Sequence, residues 1–318
     1  MSKVIDFFRL IRFTNIIFIA LTQLLFQYCI ISPMLNHVGI VTTLNTFDFF
    51  LLTFSTTLVA AAGYIINDYF DEKIDAINKP DKVFIEKSIR RRVAMGLHFA
   101  FNGLATLIGV YLALKTHNYK MALINPIVSV LLWFYSTTFK RQYLTGNIVV
   151  SFLCALTVIV PILYEKQLFH SSDELLPTAH TIIILMDCYV LFAFLTTMIR
   201  EIVKDMEDVQ GDTKYDCRTL PVVSGLRVAK RFTMIITLVT LVLILFILAY
   251  VTVYYGGSIP LIYISLLIII PMLYFIYRLY TADLQIDYHQ LSTIIKLIIF
   301  TGILSMSLIW FGFINLKL

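Results

Sequence analysis

The chain has 318 residues, of which 59% are apolar and only 14% charged, and its mean hydropathy is +0.85. That balance excludes an ordinary soluble domain and points to a polytopic membrane protein. The net charge of +5 is mostly a one-sided excess of Lys and Arg next to the membrane, so it does not argue for nucleic acid as a partner.

Apolar stretches of about 20 residues are long enough to cross a bilayer core. In chain order they predict nine spans: 14–33, 47–66, 93–114, 121–138, 147–164, 178–199, 232–255, 259–279 and 292–314. The first is read as an uncleaved span, since its apolar run is long for a signal peptide and no small-x-small site follows Pro33. The fourth and fifth are short and interrupted by Pro126 and Pro161. Twenty of the 25 Lys and Arg residues fall on one side of this arrangement and four on the other, with Lys296 inside span 9. Basic residues collect in the cytoplasm, so the N-terminus is expected inside and the C-terminus outside. The four cysteines, Cys29, Cys154, Cys188 and Cys217, have no metal-type spacing and are expected as free thiols.

Two acidic clusters follow spans 2 and 6, both on the expected cytoplasmic side. The first is Asn67-Asp68-Tyr69-Phe70-Asp71-Glu72-Lys73-Ile74-Asp75. On a helix, Asn67, Asp68, Asp71 and Asp75 fall within an arc of about 100°. The second runs from Lys204 to Asp212, where Glu201, Asp205, Asp208 and Asp212 would share about 60° of arc, with Gly211 as a possible bend before Asp212. Carboxylates are costly next to hydrocarbon and repel at these spacings unless a counter-charge lies between them. Oxygen-only donors point to a divalent metal that bridges to a substrate phosphate. Basic residues accompany both clusters: Lys79, Lys82, Lys140 and Arg141 the first, and Arg200, Lys204, Lys214 and Arg218 the second. Carboxylate-held metal with Lys and Arg suits the binding and release of a diphosphate. Arg90, Arg91 and Arg92 are read as topology determinants. A carbocation needs a dry cavity with aromatic faces, and Phe70, Tyr135, Phe139 and Tyr143 are the candidates. Ala60-Ala61-Ala62-Gly63 would let span 2 pack closely against a neighbour.

The chain resembles the UbiA superfamily of intramembrane prenyltransferases. The resemblance rests on NDxxDxxxD at Asn67, Asp68, Asp71 and Asp75, on DxxxD at Asp208 and Asp212, and on nine spans with motifs after the second and sixth. The stretches NDYFDEKIDAINKPDK and REIVKDMEDVQGD most resemble the digeranylgeranylglyceryl phosphate synthase branch. The resemblance implies one all-α domain over 1–318, with nine transmembrane helices around a central cavity and cytoplasmic helical loops capping the site. It also implies transfer of a prenyl group from an allylic isoprenyl diphosphate to a lipophilic or membrane-associated acceptor, with geranylgeranylglyceryl phosphate as the branch's acceptor. Two Mg²⁺ ions, with Mn²⁺ as a substitute, would be held by Asn67, Asp68, Asp71 and Asp75 and by Asp205, Asp208 and Asp212. Asp71, Asp75, Asp208, Asp212, Lys140 and Arg141 would be catalytic. Asn67, Lys79, Lys82, Tyr135, Tyr143, Arg200, Lys204 and Lys214 would bind substrate. The implied setting is a bacterial or archaeal cell membrane, with membrane lipids around the chain and the site facing the cytoplasm.

One stretch departs from the branch. Where N-R/K-P-x-R-P-I-P-S-G is usual, the chain reads Asn78-Lys79-Pro80-Asp81-Lys82-Val83-Phe84-Ile85-Glu86. The acceptor therefore stays open between a glycerol-phosphate lipid and the aromatic acceptors of quinone biosynthesis. A CDP-alcohol phosphotransferase would need a DGxxAR run, which neither cluster carries. An ion-coupled transporter would place its carboxylates near the bilayer midplane rather than at span ends.

Overall fold

The computed structural model describes residues 3–78, 83–169, 175–255 and 258–316. Among them every extended element is helical, and the β-pairing is limited to an isolated bridge between Ile85 and Ile89. Among the described residues, nine helical segments are long and apolar enough to cross a membrane: Phe13–His37, Thr46–Asn78, Arg91–Lys115, Tyr119–Arg141, Thr145–Tyr164, Leu176–Glu207, Leu226–Tyr250, Ser258–Thr281 and Gln285–Phe311. These are spans 1 to 9. The chain is an all-α integral membrane protein.

Spans 2 and 6 run well past their apolar stretches. Span 2 stays helical to Asn78 and span 6 to Glu207, so segments that hydropathy assigns to loops are helix. Local pairing carries span 2 beyond the hydrocarbon, since Asn67 Nδ2 donates to Asp71 Oδ2 at 2.9 Å, one turn on. Arg91 reaches Glu72 at 2.7 Å and stacks over Tyr69 at 4.4 Å, so it holds the end of span 2 rather than acting only as a topology determinant. The prolines are accommodated differently. Pro126 sits near the start of helix Ile124–Thr137, after a 3₁₀ turn at Tyr119–Leu123, whereas Pro161 lies inside helix Thr145–Tyr164. None of the four cysteines forms a disulfide among the described residues.

The chain divides into two compact units. The first comprises Met1–Arg141 and Leu156–Ile184. In it, span 2 packs against spans 1, 3 and 4. Ala61 and Ala62 are buried, and a Cβ at Gly63 would lie 2.9 Å from Leu132 Cδ1, so the small residues do set the approach of span 4. Polar side chains bridge the helices where water is absent. Asn125 donates to Ser55 Oγ at 2.9 Å and to the Ala105 carbonyl at 2.6 Å, and the buried His98 ring meets the Ala62 carbonyl at 2.9 Å.

The second unit comprises Gln142–Ala155 and Leu185–Leu318. Its core joins Ile199, Ile202 and Val203 of span 6 to Met272 and Phe275 of span 8 and Ile295 and Ile298 of span 9. Spans 6 and 9 run antiparallel in a fixed register. His289 meets Glu207 at 3.0 Å, Tyr189 meets Ser305 at 3.0 Å, and Gly302 lies against the Phe192 ring. Any larger residue at 302 would collide with that ring.

Candidate functional site

In the first unit, Asn67, Asp68, Asp71 and Asp75 all lie on the extension of span 2 past its apolar stretch and share a helix face, as their spacing predicts. Asp71 is buried, at 7% exposure. The Lys140 ammonium forms an ion pair with Asp71 Oδ1, and it stands 3.5 Å from Asn67 Oδ1. Lys140 belongs to a short 3₁₀ turn at Phe139–Arg141 that closes span 4. Arg141 beside it is exposed.

Asp68 is turned elsewhere, to Arg12 at 2.9 Å. Arg12 is not among the site residues expected from the sequence, where it counts only among the 20 Lys and Arg residues of one side. Its backbone is left-handed, with φ 51°, at the break between helices Lys3–Leu10 and Phe13–Leu25. That conformation is unfavourable for a side-chain-bearing residue. It sets the guanidinium 4.9 Å from the Tyr64 ring as well as on Asp68. The positive φ leaves no trace in the sequence.

The aromatic candidates separate. Phe70 stands edge-on to Trp133 at 5.6 Å, and Trp133 also contacts Phe99 and the His98 ring. Trp133 was not singled out from the sequence. Phe139 contacts Phe134 at 6.2 Å, and Tyr135 is half-buried. Lys79 and Lys82 lie outside the described residues.

In the second unit the acidic residues do not share one continuous helix. Span 6 ends at Glu207, and Asp208 (φ −98°, ψ 7°) starts the short helix Val209–Lys214. The bend therefore comes at Asp208, three residues before Gly211, and the expected arc of about 60° holds only as far as the break. Glu207 is buried and tied to His289, which anchors the break to span 9. Asp212 is also buried and accepts from Thr219 Oγ1 at 3.3 Å. Thr219 stands at the N-cap of helix Leu220–Ser224, yet its hydroxyl makes no cap bond there. The Asn147 amide donates to Asp205 Oδ2 at 2.8 Å. Arg200 and Lys204 both pair with Glu201, at 3.1 and 2.8 Å. Tyr143 is exposed and shares a 2.8 Å hydroxyl contact with Ser224. Lys214 is exposed. Arg12, Asn147 and Thr219 are thus the supporting residues that spacing alone did not reveal.

Among the described residues, no three His, Cys, Asp or Glu side chains gather into a metal cage. Asn67, Asp68, Asp71 and Asp75 are therefore not a closed four-ligand set. The donors still suit Mg²⁺, which keeps several waters and takes one or two carboxylates plus substrate phosphate oxygens. At Asp71 a cation already occupies the carboxylate, in the form of the Lys140 ammonium.

A profile of the UbiA prenyltransferase family matches residues 29–300. The digeranylgeranylglyceryl phosphate synthase of Methanothermobacter thermautotrophicus is 38% identical over 185 residues, covering 58% of this chain and 59% of that protein. The synthase of Ignicoccus hospitalis is 36% identical over 171 residues, 54% of this chain and 52% of its own length. For these two relatives the match spans little more than half of their length. The synthase of Metallosphaera sedula is 34% identical over 226 residues, 69% of this chain and 72% of that protein. Two solved structures share the fold. A UbiA homologue from Aeropyrum pernix has a TM-score of 0.64 at 15% identity, over 96% of this chain and 98% of that one. A UbiA homologue from Archaeoglobus fulgidus bound to DMAPP and Mg²⁺ has a TM-score of 0.57 at 16% identity, over 95% of this chain and 99% of that one. With both acidic motifs in their places and a family profile matched across most of its length, the chain belongs to the UbiA prenyltransferase family.

Proposed function

We propose that the protein is a Mg²⁺-dependent prenyltransferase. It moves a prenyl group from an allylic isoprenyl diphosphate to a membrane-borne acceptor, here a glycerol-phosphate lipid. The observation that carries this reading is the set Asn67, Asp71 and Lys140, where a buried carboxylate at the end of span 2 is paired with an ammonium from the turn that closes span 4. The names of the relatives agree with it, as do the DMAPP, GPP and Mg²⁺ held by the Archaeoglobus fulgidus homologue.

Asp71 and Asp75 in one motif, and Asp208 and Asp212 in the other, are the carboxylates that would hold metal, and the reaction draws on both motifs. When bound, the metal neutralises diphosphate oxygens and so eases cleavage of the allylic C–O bond. The chain's own residues do the rest. Asn67 fixes the rotamer of Asp71 through a 2.9 Å hydrogen bond. Asp71 would hold the metal, and Lys140, which pairs with Asp71 in this structure, would offer its ammonium to the diphosphate, with Arg141 adding a second positive charge. Thr219 and Asn147 hold Asp212 and Asp205 in place. Phe70 and Trp133 keep water from the cation left by ionisation. The diphosphate leaves with the C–O bonding electrons, the acceptor hydroxyl oxygen bonds to that carbon, and the hydroxyl proton passes to the released diphosphate. Lys79, Lys82, Tyr135, Tyr143, Arg200, Lys204 and Lys214 remain candidate substrate contacts. The motifs face the cytoplasm, where charged diphosphates are available without crossing the bilayer.

The test is product analysis by mass spectrometry. Purified protein in lipid nanodiscs receives allylic diphosphates of several lengths with alkylglyceryl phosphates or with aromatic acids. Prenylated alkylglyceryl phosphate is the expected product. Prenylation of the aromatic acids alone would move the protein to the quinone-type branch, and no prenylated product from any pair would refute the reading.

A further inference from the structure

Arg12 stands where glycine is the ordinary choice. It follows helix Lys3–Leu10 and precedes span 1 with φ 51° and ψ 56°, in the left-handed region that costs free energy for any residue with a Cβ. A side-chain-bearing residue persists there only where its surroundings fix it, and such residues cluster at functional sites. Here the surroundings do fix it. Leu10 and Ile11 pack with Ile85, Ile89 and Ala94, and Asp6 Oδ2 accepts from Ser88 Oγ at 2.7 Å. Beyond the break, the Asn15 amide donates to the Tyr64 hydroxyl at 3.2 Å and the Gln23 amide to Thr56 Oγ1 at 3.2 Å, so span 1 lies antiparallel along span 2.

The strained residue delivers a guanidinium to the first acidic motif. Tyr64 and Asp68 are one turn apart on span 2, and Arg12 reaches both. Its guanidinium carbon stands 4.9 Å from the centre of the Tyr64 ring, and its Nη2 donates to Asp68 Oδ1 at 2.9 Å. The Asp68 side chain is 13% exposed, so this charge-assisted bond is weakly screened. Asp68 is three residues from Asp71 on one helix, a spacing at which like charges repel. The two carboxylates are balanced by cations from different elements, Arg12 from the start of span 1 and Lys140 from the turn that closes span 4. Asp71 also keeps the Asn67 amide on its other oxygen, whereas Asp68 is turned toward span 1.

We propose that Arg12 is a positioning residue for the first acidic motif. It holds Asp68 away from the metal, which leaves Asp71 and Asp75 as the carboxylates of that motif that bind it, and it offsets a negative charge that would otherwise face the diphosphate. A bare Asp68 beside Asp71 would draw a divalent cation more tightly and would repel a polyanionic donor. Strain at position 12 is thus offset by a fixed guanidinium at a carboxylate that spacing alone counts among the metal ligands. The role toward a diphosphate rests on the prenyltransferase reading, whereas the hold on Asp68 shows in metal binding alone.

The experiment compares the full-length wild type with Arg12→Gly, Arg12→Lys and the double variant Arg12→Gly with Asp68→Asn, in nanodiscs of zwitterionic lipid. Glycine suits the left-handed backbone, so Arg12→Gly should fold; Arg12→Asn, which also tolerates that backbone, replaces it if it does not. Two equilibrium titrations are read: Mn²⁺ without substrate, by its electron paramagnetic resonance signal, and geranyl diphosphate at saturating Mg²⁺. Arg12→Gly should bind Mn²⁺ about tenfold more tightly and geranyl diphosphate about tenfold more weakly, each equivalent to about 1.4 kcal/mol. Arg12→Lys, which keeps the charge, should lie between wild type and Arg12→Gly in both. The double variant should return both affinities toward wild type, because it removes the charge that Arg12 balances; a purely structural role for Arg12 would give no such rescue. Unchanged Mn²⁺ affinity in Arg12→Gly would overturn the proposal. So would a double variant that stays at the Arg12→Gly values, or one that binds Mn²⁺ more weakly than wild type, which would make Asp68 itself a metal ligand. The expected Mn²⁺ pattern in a protein that binds no geranyl diphosphate would count against the prenyltransferase reading and leave the hold of Arg12 on Asp68 standing.

Discussion

Replacing Lys140 with methionine should destabilise the protein, and removing the negative charge of Asp71 in the same chain should restore it. The side chains of the pair are 14% and 10% exposed, so solvent screening is weak. Breaking a buried ion pair by deleting one partner costs about 3–5 kcal/mol, because a bare charge stays behind. Here Asn67 still donates to Asp71 Oδ2, which places the loss near the lower end, about 3 kcal/mol. In Lys140→Met with Asp71→Asn both charges are gone and the amide can still bond to Asn67, so most of that loss should return. The assay is reversible unfolding in mixed micelles with EDTA present, comparing wild type, each single variant and the double variant. Added Mg²⁺ should narrow the gap between Lys140→Met and wild type, since it supplies the missing counter-charge to Asp71 and its binding stabilises by mass action. The double variant should gain nothing comparable from Mg²⁺. A double variant as unstable as Lys140→Met, or a Mg²⁺ effect no larger in Lys140→Met than in wild type, would refute the exchange of ammonium for metal at this carboxylate.

Three further outcomes are expected. Gly302→Leu should cost about 1–3 kcal/mol by overpacking span 9 against Phe192, read in the same unfolding assay, and a neutral result would contradict the register of spans 6 and 9. Glu165, buried and accepting from the Thr43 amide at 2.8 Å, has its carboxyl held above the usual range by burial. Such a group favours the folded state while protonated and loses that advantage as pH rises through its folded-state pKa. Glu165→Gln should therefore be more stable than wild type at pH 7–8, with the difference fading below the ordinary glutamate range; a pH-independent difference would dismiss the cause. Finally, in a cysteine-free background, Lys214→Cys should be labelled by impermeant maleimide from the cytoplasm and Lys120→Cys from outside. Labelling of both from one face would break the proposed topology.

The nine spans were legible because hydrocarbon thickness dictates their length, and every predicted apolar stretch corresponds to an observed span. Their ends were less so. Hydropathy ends span 2 near residue 66, whereas pairing of Asn67 with Asp71 and of Glu72 with Arg91 carries the helix to Asn78. The Asp71 ladder was readable from spacing alone, since a continuous helix fixes which residues share a face. The second motif was not, because the break at Asp208 depends on tertiary anchors such as His289 on Glu207, eighty-two residues apart in sequence. Arg12, Trp133 and Asn147 escaped for the same reason, since each acts through a partner distant in sequence, and Thr219 escaped because the turn after the short helix Val209–Lys214 that brings it back to Asp212 leaves no spacing signal.

The central claim is that both acidic motifs drive metal-dependent prenyl transfer. It is tested most directly by initial rates for wild type, Asp71→Asn and Asp208→Asn in nanodiscs, with allylic diphosphate and alkylglyceryl phosphate, in Mg²⁺ and after exhaustive chelation. Loss of electrostatic stabilisation at a developing charge is worth about 10²–10³ in rate. Each variant should fall by at least that factor while staying folded, and wild type should lose activity in EDTA and regain it with Mg²⁺. Near-normal turnover in either variant, or undiminished wild-type activity after chelation, would contradict the account.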